Sequence, residues 1–196
     1  IYTGKLAYDF GDVNAYVSYT HGYKAGGFNL DTTAATGGAD PRFASEEVDA
    51  YEFGLKGRFM DGAITANLAL FHEKFENFQV LEFTGVQFQT FNVPKALSKG
   101  FELESQIRAS DELTINAALT YVEADYPEDC ATTTDALRVQ NLCGSSLTNA
   151  PDLVTILGAT YRDDLTDDLT WFINGQIRSE SDRRTSTQPS TPPTTQ

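Results

Sequence analysis

The chain has 196 residues, 28 Asp+Glu against 14 Lys+Arg, and a net charge of −14 at pH 7. That balance excludes a nucleic-acid partner, because no basic stripe is present to neutralise phosphates. The longest apolar run is Leu68-Ala69-Leu70-Phe71, far short of the about 20 residues a membrane-crossing helix requires. No basic and apolar leader segment precedes the patterned sequence at Ile1, so no signal peptide is expected within it.

From the first residues the hydropathy alternates with period two, and no 3.6-residue period competes with it. Eight strands are predicted, at 3–10, 13–24, 46–59, 63–79, 95–109, 113–126, 153–163 and 168–182. The second sets Val13, Ala15, Val17 and Tyr19 on one face, then meets Gly26-Gly27 and a polar stretch reaching to about 45. The third sets Tyr51, Phe53, Leu55 and Phe59 against Glu52, Lys56 and Arg58. The fifth opposes Phe101, Leu103 and Ile107 to Glu102, Glu104, Gln106 and Arg108. The sixth and eighth repeat the arrangement with Leu113, Ile115, Leu119 and Tyr121, and with Leu169, Trp171, Ile173 and Ile177.

Connections carry as much information as strands. Phe10-Gly11-Asp12, Met60-Asp61-Gly62, Ser110-Asp111-Glu112 and Asp164 to Asp167 read as tight turns. Between them lie long connections at about 25–45, 80–94, 127–152 and from 183 onward. Short and long therefore alternate, as they do in a transmembrane β-barrel with short periplasmic turns and long extracellular loops. Charges of both signs in mid-strand suit a wet lumen, and Tyr19 and Tyr23 suit the membrane interface. The fold class expected is all-β, an antiparallel up-and-down transmembrane barrel segment; an ordinary soluble β-domain is the alternative. With the short turns in the periplasm, the first strand runs down and the last runs up, which fits an internal piece of a larger barrel. An open sheet edge in lipid leaves backbone groups unsatisfied.

Cys130 and Cys143 lie in one polar stretch, too far apart for a CxxC motif. No other metal-type ligands cluster with them, and a disulfide pinning that loop is expected. Two free thiols are the plain alternative. A disulfide would indicate an oxidising compartment.

Three segments, GYKAGGFN at 22–29, VDAYEFGLKGRFMDGAITANLALFHEKFENFQV at 48–80 and NVPKALSKGFELE at 92–104, together resemble the β-barrel of TonB-dependent outer-membrane receptors, the siderophore-receptor-like group above all. The resemblance runs from about residue 2 to 182 and leaves the substrate open. It implies a barrel of about 22 strands in the outer membrane of a Gram-negative bacterium, plugged by an N-terminal domain of the same parent chain. It implies energy from TonB–ExbB–ExbD through a TonB box, and uptake of a ferric siderophore or another scarce nutrient. Neither box, plug nor final aromatic-ended strand occurs in the sequence. Residues 1–182 are thus expected to form part of the wall and 183–196 the start of an extracellular loop or a disordered end. Such a piece is not expected to transport by itself. A passive porin-like channel and a soluble β-sandwich binding domain are the other readings.

No GxSxG, HExxH, P-loop or EF-hand pattern appears, so no enzyme, cofactor or metal site is expected. His21 and His72 lie near strand ends and read as rim polarity. The mid-strand charges, with Arg178 and Glu180, read as a wall network, with contact to a plug or substrate as the other possibility. Candidate ligand contacts at the mouth are Tyr23, Lys24, Phe28, Asn29, Arg42 and Phe43. The GYKAGGFN stretch also reads as shaping the exit of the strand into its loop.

Overall fold

The computed structural model describes residues 1–30, 40–83 and 87–187. Ten strands are present among them: β1 (Tyr2–Asp9), β2 (Val13–Lys24), β3 (Gly27–Phe28), β4 (Arg42–Phe43), β5 (Glu46–Phe59), β6 (Ile64–Phe83), β7 (Phe88–Arg108), β8 (Leu113–Asp125), β9 (Leu153–Thr166) and β10 (Leu169–Glu180). One helical turn, α1 (Leu137–Gln140), lies between β8 and β9. Eight strands form a single antiparallel meander in the order β1-β2-β5-β6-β7-β8-β9-β10, and β3-β4 form a separate two-stranded ribbon. The meander is open, with β1 and β10 at its edges.

Register explains the alternation. Leu6, Val17, Phe53, Leu70, Phe101, Tyr121 and Leu153 stand on one rung, and Tyr8, Ala15, Leu55, Leu68, Leu103 and Leu119 on the next towards the tight turns. Directly paired residues share a face of the sheet, so these rungs make a continuous apolar band. The band slides down the ladder across the sheet: Leu119 is paired with Thr155, while Leu157 and Tyr161 are paired with Ile177 and Ile173. That slide is the stagger of a sheet whose strands tilt relative to a barrel axis. Among the described residues no second layer covers the band; Leu6 is 73% exposed and Ile177 74%. The opposite face carries the rung Asn14, Lys56, Asn67, Glu104 and Ala118, with Arg58, Thr65, Gln106 and Asn116 below it.

Two boundaries differ from the sequence expectation. The connection expected at 80–94 is largely strand: β6 and β7 remain paired to Phe83↔Phe88. Val80 to Phe83 and Phe88 to Val93 are rich in the β-branched and aromatic residues that favour strands, and Pro94 is tolerated inside the hairpin. Pro94 has no N–H to give a ladder, and the position opposite, Asn77, is the one gap in the pairing, with a left-handed φ of 52°. The turn expected at 164–167 falls one step later, since β9 continues to Thr166, and the register shifts between Leu169 and Thr170.

Among the described residues, the buried apolar core lies towards the sheet's loop end. Val80, Phe91 and Val93 of the extended β6–β7 hairpin pack with Tyr126, Cys130, Val139 and Leu142 of the β8–β9 connection. This connection folds back on itself through Tyr126 N–H to the Ser145 carbonyl (2.9 Å) and Gly144 N–H to the Tyr126 carbonyl (2.8 Å). Cys130 and Cys143 are joined by a disulfide inside it. Lys95 of β7 reaches Asp129 at 2.7 Å and ties the cap to the hairpin.

Candidate functional site

The site begins where β2 leaves the sheet. A Cβ on Gly26 would stand 2.5 Å from the Phe43 carbonyl oxygen, and one on Gly27 would stand 2.7 Å from the Phe43 ring. The first clash is with backbone, so only glycine fits at Gly26; the second is with the tip of the Phe43 ring, which would have to move aside. Asn29 then leaves the ribbon with its amide aimed at the β6–β7 hairpin. Its Nδ2 donates to the Thr90 carbonyl at 2.7 Å, and its Oδ1 accepts from the Thr90 N–H at 2.7 Å.

Two more side-chain amides extend this stitching. Asn92 Oδ1 accepts from the Ala44 N–H at 2.7 Å, and its Nδ2 donates to the carbonyls of Asn77 (2.6 Å) and Ala44 (3.1 Å). Gln79 Nε2 donates to the carbonyls of Ala25 (2.9 Å) and Ala44 (3.0 Å). The amide group has the donor and acceptor geometry of a peptide. These three residues supply the ladder that the ribbon and the hairpin do not form by backbone alone.

A cleft of about 460 Å³ opens between three segments. The ribbon contributes Asn29, Asp40 and Arg42, the hairpin Gln89 to Asn92, and the cysteine loop Ala136, Arg138 and Val139. Arg42 grips Asp40 with two nitrogens, Nη2 to Oδ2 at 2.7 Å and Nε to Oδ1 at 2.9 Å. Hydrogen bonds from the Arg42 side chain and backbone hold the Asp40 carboxyl down at about 2. Arg138 lies with its guanidinium carbon 4.4 Å from the centre of the Phe91 ring. The walls therefore offer two guanidinium groups, one neutralised by its own carboxylate, together with amides and a hydroxyl-bearing backbone edge.

Of the six mouth residues expected from sequence, Asn29 and Arg42 line this cleft. Phe43 covers Gly27, and Phe28 pairs with Arg42 in the ribbon and is exposed. Tyr23 and Lys24 end β2 opposite Glu47 and Glu46, outside the cleft. Asn92, Phe91 and Arg138 escaped sequence reasoning. The first two fall in a segment read as loop, although TFNV at 90–93 alternates polar and apolar like a short strand. Arg138 sits in a polar stretch without periodicity, where no local signal singles it out.

His21 and His72 stand on the band side of the sheet towards its loop end. His21 Nδ1 is 3.0 Å from Asp49 Oδ1, its ring stacks on Tyr2, and Tyr19 donates its hydroxyl to the same carboxylate at 2.6 Å. His72 pairs with Tyr51 and Lys99. Among the described residues no three His, Cys, Asp or Glu side chains converge as a metal site. On the opposite face Glu52, Lys56, Arg58, Glu102, Glu104 and Arg108 share the polar surface. Arg178 meets Glu180, which also accepts from Arg183 at 2.9 Å.

An open, tilted antiparallel sheet with one continuous uncovered apolar face and one charged face is wall of a transmembrane β-barrel. The model for the TonB dependent receptor-like β-barrel matches residues 2–196, and the chain belongs to that family. Its members are transport receptors of the Gram-negative outer membrane. The metal-pseudopaline receptor CntO of Pseudomonas aeruginosa is 29% identical over 114 residues, 58% of this chain and 14% of that protein. Among solved structures, the ferric yersiniabactin uptake receptor FyuA of Yersinia pestis superposes with a TM-score of 0.70 at 19% identity, covering 90% of this chain and 25% of that one. The ferric preacinetobactin receptor BauA of Acinetobacter baumannii gives 0.63 at 17% identity, covering 91% and 25%. The copper transporter OprC also gives 0.63 at 17% identity, covering 89% and 25%. These structural likenesses concern the fold. The chain spans about a seventh of the curated relative and about a quarter of each solved structure.

Proposed function

We propose that this chain is one arc of the wall of an outer-membrane TonB-dependent receptor that takes up a metal chelate or a comparably scarce nutrient. The observation carrying this reading is the sheet itself: an apolar band with nothing over it, a charged opposite face, and two unpaired edges. Lipid satisfies the band, and neighbouring strands of the same barrel satisfy the edges. Residues 1–182 act as wall; of the segment 183–196 expected to begin an outer loop, residues 188–196 lie outside the described residues. The tight turns face the periplasm, and the cysteine cap and cleft face outwards. A plug domain of the parent chain lies against the charged face and couples entry to TonB–ExbB–ExbD. Metal chelates head the substrate classes because the similar receptors are named for metal-pseudopaline and ferric yersiniabactin.

The test is uptake of iron-55, supplied in spent medium of the source bacterium, by cells making the complete receptor. Uptake that requires both the receptor and a functional TonB is expected. Uptake that persists without TonB would replace the receptor with a passive channel.

A further inference from the structure

We propose that, in the complete barrel, the strand that pairs with the free edge of β1 lays an aromatic side chain over Gly4 on the lipid-facing side of the wall. This rests on the reading of the sheet as barrel wall, and not on what the receptor carries.

Covered and bare glycines divide by position. Inside the sheet, Val48 stands against Gly22, the Tyr16 ring against Gly54 and the Phe59 ring against Gly57. The Phe71 ring and the β8 backbone stand against Gly100, and Gln176 against Gly158. Among the described glycines of the strands, Gly4 and Gly175 alone have nothing within 4 Å of the place a Cβ would take, chain neighbours aside. They belong to β1 and β10, the two strands with a neighbour on one side only. Bare glycine thus coincides with unpaired edge.

Gly4 stands on a rung with Tyr19, Tyr51 and His72, directly above the apolar rung of Leu6, Val17, Phe53 and Leu70. Across the ladder from Gly4, Tyr19 does not cover it as Tyr16 covers Gly54. The Tyr19 hydroxyl donates to Asp49 at 2.6 Å, and its ring leans on Tyr51 with centres 5.0 Å apart. Tyr2, two residues before Gly4, is stacked on His21 at 5.0 Å. Both nearby rings are committed towards β2 and β5. They leave bare main chain beside a hollow of about 470 Å³, lined in part by Leu6, Val17, Tyr19 and Tyr51.

A flat ring suits this place better than a branched chain. Laid on the main chain of an edge glycine, it shields the peptide groups that the missing side chain exposes. The level is that of the membrane interface, where amphipathic rings settle. The other three positions of the rung already carry rings, and one more over Gly4 continues the girdle.

Electron cryomicroscopy of the complete receptor in nanodiscs identifies the side chain beside Gly4. A Phe, Tyr or Trp ring in contact with the Gly4 main chain is expected. An aliphatic or polar residue there, or a lipid chain or a second receptor over Gly4, overturns the proposal. Folding titrations in bilayers then measure the contact. With the ring in place, Gly4→Leu is expected to lower the folding equilibrium constant about tenfold or more, as overpacking does. With that ring cut back to alanine, the same change is expected to cost less than roughly threefold, which makes the pair coupled. Gly4→Ala repeats the cycle with a smaller side chain where the leucine variant does not fold. Equal losses in the two backgrounds, or no loss in either, also overturn the proposal. A complete receptor in which the β1 edge stays unpaired removes the wall reading itself. A paired edge without the ring removes only this contact.

Discussion

Tyr16 lies flat on its neighbour across the β2–β5 ladder, Gly54. A Cβ at Gly54 would stand 2.2 Å from the Tyr16 ring, and Lys5 Nζ caps the other side of the ring at 3.8 Å. On a face rich in charge, the phenol thus shields bare backbone, and the glycine makes room for it. The same rung logic sets the fate of single substitutions. Leu119 pairs with Leu103 on the band, and its neighbour Thr120 pairs with Glu102 on the charged face. Arginine on the lipid side near mid-membrane costs about 2–4 kcal/mol. Leu119→Arg in the complete barrel should therefore lose about that much folding free energy in bilayers, and Thr120→Arg well under half of it. Denaturant titrations in lipids of two chain lengths check both the ordering and its dependence on membrane thickness. Equal losses would invalidate the assignment of faces.

Among elements, the cap behaves differently from the wall. Its core is dry in the usual globular sense, with Cys130 and Leu142 almost wholly buried. A disulfide closing a loop of this size stabilises by about 3 kcal/mol in the chain-entropy model. The double change Cys130→Ser, Cys143→Ser should open 126–152 to proteolysis around Thr132–Thr134 while the barrel remains folded in detergent. Limited digestion with mass mapping measures it, and protection equal to the native cap would show the bridge to be dispensable. Burial also pushes the Tyr126 phenol from its ordinary value of 10.0 up to about 12. A raised phenol favours the neutral form in the folded cap, so its contribution is complete below pH 10 and declines as pH climbs towards 12. In a tyrosinate absorbance titration Tyr126→Phe should remove one tyrosine's share of the late-ionising absorbance and leave the rest, with cap unfolding over the same range.

At the scale of the molecule, the sheet has two unlike ends. Tight turns close one end, where Met60 and Asp61 adopt left-handed φ of 53° and 54° and Gly11 and Gly62 each 85°. The ribbon, the outer pairs of the β6–β7 hairpin and the cap crowd the other. If the turns face the periplasm, an epitope inserted at Asp61-Gly62 of the complete receptor is silent on intact cells and appears after the outer membrane is permeabilised. An epitope at Thr132–Thr134 is reached on intact cells. The reverse pattern of surface labelling would invert the barrel. The slide of the apolar band from Leu6 and Tyr8 on β1 to Ile173 and Trp171 on β10 belongs to this scale too, because tilt is a property of the whole sheet and not of any strand.

Much of the wall could be read from the chain alone. Which side each residue faces follows from the period of two, a local consequence of the pleated backbone. The tight turns follow from Gly11, Asp61 and Gly62 for equally local reasons. Leu119 and Thr120 could therefore be assigned to opposite faces before any partner strand was known. The length of the β6–β7 hairpin was not legible, because Pro94 looks like a stop until the gap opposite Asn77 accommodates it. Nor was the cleft. Asn29 meets Thr90 across 61 residues of chain, and Arg138 meets Phe91 only once the cysteine loop has packed on the hairpin. Amides and guanidinium groups carry no periodicity, and their partners are chosen by how loops fold over one another. Local geometry thus determined the faces of the wall, and only tertiary packing decided what stands at its mouth.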